Sequence, residues 1–114
     1  MSQARPIAAA QVRDAAPLFA ALGDETRIRL LVQLSSNGPE SIAGLTAKSG
    51  VSRQAITKHL TVLSNAGLVR DNRRGRERIW QIEQGRFAEA RDYIDRISRQ
   101  WDEALGRLKR LVEG

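Results

Sequence analysis

The stretch SGVSRQAITKHLTVLSNAG, residues 49–67, decides how this chain folds. Gly50 centres a tight Ser49-Gly50-Val51 turn, Ser52 offers its hydroxyl as a helix N-cap, and Gly67 stops the helix that follows. A short helix, about Ser41 to Lys48, precedes the turn and turns Ile42 and Leu45 inward. Two helices joined by a three-residue, glycine-containing turn carry the helix-turn-helix signature.

On a helical wheel Arg53, Gln54, Thr57, Lys58 and Thr61 of the second helix fall within roughly 140° of arc. Ala55, Ile56, His59 and Leu63 lie opposite, with Leu60 and Val62 at the margins. One face is therefore core, and the other is a hydrogen-bonding band without an acid. That band suits a DNA major groove. Arginine and lysine donate to guanine O6 and N7, glutamine pairs bidentately with adenine, and a threonine methyl touches thymine. An acid-free face also avoids repulsion from flanking phosphates. His59 sits on the apolar side, where a packed, hydrogen-bonded ring is the first reading and a phosphate contact the second.

Immediately downstream, the period changes from helical to extended. Leu68-Val69 opens an extended run, Gly75 marks a tip, and Trp80 and Ile82 alternate with Gln81. The expectation is a two-stranded β-hairpin with an apolar root and a tip carrying Arg73, Arg74, Arg76 and Arg78. Residues 48–78 hold eight basic and two acidic side chains, while the rest of the chain balances eleven against eleven. A neutral body with one basic segment fits a polyanion, and arginines beside a reading helix can neutralise phosphates or enter a narrow minor groove.

Toward the N-terminus, residues 1–10 show no usable periodicity and are expected to form a loose arm, leaving 11–114 as one domain. Asp14 is the expected N-cap of a first helix, with Pro17 in its opening turn and Ala15, Phe19 and Leu22 on one side. Gly23 breaks it, and Asp24 caps a second helix with an apolar stripe of Ile28, Leu31, Val32 and Leu34.

The last thirty residues form one long helix. Its Phe87, Ala90, Ile94, Ile97, Trp101, Ala104, Leu108 and Leu111 step by 3 and 4 in alternation, a heptad seam widened by Leu105 and Val112. A domain this small cannot cover such a rod alone, so the seam, with Phe19 of the first helix, is expected to bind a second copy. Acid–base pairs at four-residue spacing (Arg91–Asp95, Asp92–Arg96, Asp95–Arg99 and Glu103–Arg107) decorate its other faces.

These residues resemble the ArsR/SmtB family of bacterial winged-helix repressors. The carriers are LGDETRIRLL (residues 22–31), SRQAITKHLTVLSNAGLV (52–69) and the wing RDNRRGRERIWQI (70–82), within a likeness spanning about residues 15–83. The resemblance implies an α+β, mainly α, winged helix-turn-helix homodimer that represses transcription at a palindromic operator and is released by a signal. It maps Ser52, Arg53, Gln54, Thr57, Lys58 and His59 onto the recognition helix, and Arg73 to Arg78 onto the wing. Metal sensors of that family place cysteines where this chain reads ESIAGLTAKSG, or acid and histidine ligands in the last helix, where this chain has Asp92 and Asp95 but no histidine. The metal-sensing part does not transfer, and no cofactor is expected.

Other classes fit poorly. The absence of cysteine removes disulfides, thiolate metal sites and thiol chemistry, and fits a reducing cytoplasm. No apolar run approaches the ~20 residues of a membrane span, and the N-terminus does not read as a secretory signal. One histidine and no phosphate-cradling glycine loop argue against an enzyme. The rival binding reading is a winged helix whose basic wing docks an acidic protein, against which the acid-free face argues. RNA is disfavoured because the basic surface lacks stacking aromatics.

Overall fold

The structure, a computed structural model, describes residues 7–113. Its elements follow in the order α1 (Ala9–Leu22), α2 (Glu25–Asn37), β1 (Glu40–Ser41), α3 (Ile42–Ser49), α4 (Arg53–Asn65), β2 (Val69–Arg74), β3 (Glu77–Ile82) and α5 (Gln84–Glu113).

The expected caps form where their side chains can reach a free amide. Asp24 accepts from the Arg27 N–H at 3.0 Å and Ser52 from Ala55 at 3.1 Å, while Ser41, expected inside the third helix, is its cap and accepts from Gly44 at 3.1 Å. The turn between α3 and α4 needs a left-handed residue, which Gly50 supplies at φ 70°. The hairpin that follows is antiparallel, with Val69 opposite Ile82, Asp71 opposite Trp80 and Arg73 opposite Arg78. It gains a third strand that local sequence did not suggest: Glu40 and Ser41 pair with Trp80 and Ile79, giving the order β1-β3-β2. The wing root is thereby tied to the start of α3.

Leu18, Leu30, Leu45, Ile56, Leu60, Leu63 and Leu68 fill the core between the helices and the sheet, with Trp80 sealing it from the wing side. Two sequence expectations change here. First, α1 begins at Ala9, so residues 9 and 10 belong to the helix, and only residues 1–6 of the expected arm lie outside the described residues. Asp14 is mid-helix, not a cap, and Pro17 is interior. The alanine-rich start is a good helix former, and burial of Ala15, Leu18 and Ala21 offsets the hydrogen bond that proline omits. Second, the inward face of α2 is Leu30, Leu31 and Leu34, while Ile28 and Val32 remain 47% and 59% exposed. The apolar stripe is wider than the core contact, and its outer flank stays open.

Helix α5 leaves the body after three turns. Ala90 is buried and Phe87 packs against the core, but Ile94, Ile97, Trp101, Leu105, Leu108 and Leu111 are all exposed in the single chain. The chain measures 66 × 24 × 22 Å with a radius of gyration of 18.6 Å, against ~13 Å for a compact chain of this length. Of the four ion pairs expected along α5, Asp92–Arg96 forms at 3.3 Å; the other three do not close.

Candidate nucleic-acid interface

Helix α4 presents the band its sequence implies. Ser52, Arg53, Gln54, Thr57, Lys58 and Thr61 are exposed, while Ile56, Leu60 and Leu63 are buried beneath them. The two threonines are held in one rotamer because each hydroxyl donates to the carbonyl four residues back, Thr57 to Arg53 and Thr61 to Thr57, both at 2.9 Å. With its proton committed, a hydroxyl cannot donate to a base, so these side chains offer an acceptor lone pair and a methyl. The Ser52 oxygen accepts the capping bond and keeps its own proton free.

His59 follows its first reading. It is half-buried, and its Nδ1 lies 3.3 Å from Arg27 Nη1, a donor from which an unprotonated Nδ1 accepts. The Asp24 carboxylate stands farther off at 3.8 Å. Arg27 also donates to the α1 carbonyls of Ala21 at 2.6 Å and Ala20 at 3.4 Å. One guanidinium thus closes the end of α1 and braces the recognition helix. The Asp24 carboxyl is held below its usual pKa, chiefly by the Arg27 backbone N–H it accepts.

The strand register divides the wing arginines. Arg73 and Arg78 share the face of the hairpin that carries Val69, Trp80 and Ile82, whereas Arg74, opposite Glu77, lies on the other face. Arg53, Arg73, Arg76 and Arg78 line a cleft of about 200 Å³ with Glu77 and the start of α3, bridging the recognition helix to the wing. Arg78 is also held within the wing: its Nε donates to Asp71 at 2.7 Å and its guanidinium sits 5.6 Å from the Trp80 ring centroid. Among the described residues, Arg53, Lys58, Arg73, Arg74 and Arg76 enter no ion pair. Arg73 stands directly opposite Arg78, a like-charge register that the Asp71 carboxylate bound to Arg78 offsets only in part.

Sequence reasoning missed Arg86. From the first turn of α5 it donates to the Ala66 carbonyl at 3.2 Å, to the Asp14 carboxylate at 3.3 Å and carbonyl at 3.2 Å, and to Glu89. It therefore pins the end of α4 to α1 and α5, and these acids raise its pKa. Gly67 lies under this side chain at φ +78°, where an added Cβ would meet Arg86 Cγ at 3.1 Å. Nothing local signals such a residue, because Asp14 is 72 positions away.

Comparison with known proteins gives the family and the fold. Residues 24–71, from the α2 cap to the start of the wing, match the family described as "Bacterial regulatory protein, arsR family". The chain is similar to the HTH-type transcriptional regulator Rv2034 of Mycobacterium tuberculosis, 36% identical over 93 residues that cover 82% of this chain and 83% of the relative. Among solved structures, an ArsR-like transcriptional regulator from Rhodococcus sp. RHA1 superposes with a TM-score of 0.85 at 34% identity, covering 93% of this chain and 96% of that one. The fold is shared with the homodimeric winged helix-turn-helix DNA-binding domain of a possible ArsR-family regulator from Mycobacterium bovis. There the TM-score is 0.66 at 20% identity, with 86% and 90% of the two chains covered.

Proposed function

This chain belongs to the arsR family of bacterial regulatory proteins and is a DNA-binding transcriptional regulator; from that premise we propose that it works as a homodimeric repressor at a palindromic operator. The observation that carries the reading is the acid-free face of α4 set beside the arginine cleft. In this reading Gln54, Thr57 and Lys58 meet base edges, Thr61 adds a methyl contact, and Ser52 and His59 stand near the flanking backbone. Arg53, Arg73 and Arg76 hold phosphates across the cleft, Arg74 reaches DNA from the other side of the wing, and Arg78 stiffens the hairpin. The uncovered stripe of α5, from Ile94 to Leu111, joins two copies, with Phe19 of α1 beside its base. Two-fold symmetry then presents two recognition helices to half-sites about one DNA turn, ~34 Å, apart.

The signal that releases the operator is not a thiophilic metal or arsenite in this reading. The chain has no cysteine, and Arg27 engages Nδ1 of its single histidine. Anisotropy titration of a duplex selected from a random pool tests the assignment. A selected site with two inverted half-sites, bound by two chains, is the expected result. Equal affinity for the selected and scrambled duplexes would refute sequence reading by α4.

A further inference from the structure

Two apolar surfaces have nothing covering them among the described residues. One is an open groove of about 390 Å³ between Leu22 of α1, Ile28 and Val32 of α2, Ile82 of β3 and Phe87 of α5, with no charged side chain in its wall. The other is the α5 stripe beyond Ala90, where Trp101 is 64% and Leu111 80% exposed. They are continuous, because Phe87 is both the first member of the stripe and a wall of the groove.

The stripe also has an internal symmetry. From Phe87 to Leu111 its steps of 3, 4, 3, 4, 3, 4 and 3 residues read the same in both directions about Arg99. A second copy laid antiparallel about a two-fold axis at Arg99 therefore matches apolar to apolar throughout. Ile97 faces the partner's Trp101, and Ile94 faces the partner's Ala104, a large side chain against a small one. Arg99 itself lies about 180° from the stripe on the helix, so no like charges meet at the axis. Farther out the pairing cannot continue helix on helix, because Ala90 is already covered by its own core at 6% exposure. The partner's last turns arrive about 18 Å from the axis, at Phe87 and the groove beside it. A parallel pair would set each residue against its own copy, bring both bodies to one end and leave both grooves empty.

We propose that the end of α5, Leu108 to Val112, of a second copy fills the groove between α1, α2 and β3, and the reverse by symmetry. This rests on the homodimer reading and adds where the helix end goes. Because Ile82 is the last residue of the wing strand, the docked helix end would brace the wing against the body and fix the relation of the two reading heads.

Native cysteine is absent, so engineered thiols report cleanly. Sedimentation equilibrium of Val32→Glu, a residue exposed in the single chain, should show dimer affinity weakened about tenfold or more, since the charge would be buried on docking. The double variant Ser36→Cys/Val112→Cys should cross-link between chains through a short bismaleimide, and Leu108→Cys alone should not. A dimer in which Leu108→Cys links to its own copy and the double variant does not would overturn the docking while keeping the homodimer. A wild-type chain that stays monomeric would overturn both. An intact dimer that binds the apolar dye anilinonaphthalene sulfonate, and loses it in Val32→Glu, would show the groove empty and also overturn the docking.

Discussion

Replacing Arg73 with alanine separates a phosphate contact from a structural role, because the two give opposite signs. In the free chain Arg73 faces Arg78 across the hairpin and enters no ion pair among the described residues. Its removal relieves a like-charge contact, so the melting temperature should stay unchanged or rise. On DNA the same change removes one phosphate contact per chain, two per bound dimer. At ~0.9 per phosphate, the slope of log K against log salt should become shallower by about 1.8. Between about 50 and 200 mM salt that difference corresponds to about 12-fold, so the variant's deficit should be largest at low salt and shrink by that factor. Selected and scrambled duplexes should lose affinity alike, since phosphates carry no sequence. Fluorescence anisotropy at four or more salt concentrations, with a thermal melt of the same preparation, gives both readouts. An unchanged slope together with a melting temperature several degrees lower would refute the assignment and make Arg73 a scaffold residue. Arg78→Ala is the internal contrast: it breaks the 2.7 Å bond to Asp71 and uncovers Trp80, so it should lower the melting temperature.

Gln54→Ala should cost roughly 1–3 kcal/mol on the selected duplex and little on scrambled DNA; equal losses on both would remove it from the base-reading set. Trp101→Glu puts a charge on a side chain that is 64% exposed in the single chain, so folding should survive while dimerisation and operator affinity fall together. Sedimentation showing an intact Trp101→Glu dimer would reject this seam. Gly67→Ala combines φ +78° with a 3.1 Å approach to Arg86. It should destabilise the chain by at least about 1–2 kcal/mol in a urea titration, whereas a neutral result would mean the turn relaxes freely. Micromolar zinc or arsenite should leave operator affinity unchanged relative to chelator, and a reversible tenfold release by either would reveal a site formed by other ligands.

What the sequence determined by itself is the part of the molecule governed by contacts within one turn or one hairpin. The Asp24 and Ser52 caps, the left-handed turn at Gly50 and the acid-free face of α4 all depend on residues no more than four positions apart or on simple helical period. The basic hairpin and its buried Trp80 follow from alternation in the same way, and the stripe on α5 from its heptad step. The tertiary structure decided which part of each pattern is used. An amphipathic stripe has two flanks, and only packing could choose Leu30 over Ile28 and Val32 for the core of α2. The wing arginines look equivalent in a string of letters, yet strand register sends Arg73 and Arg78 to one face and Arg74 to the other, and Arg73, Arg76 and Arg78 but not Arg74 line the cleft with Arg53. Arg27 and Arg86 read as ordinary surface charges until the fold brings His59 and Asp14 to them from 32 and 72 residues away. Such long-range partners are selected by the packing of whole elements, and no local preference of the chain encodes them.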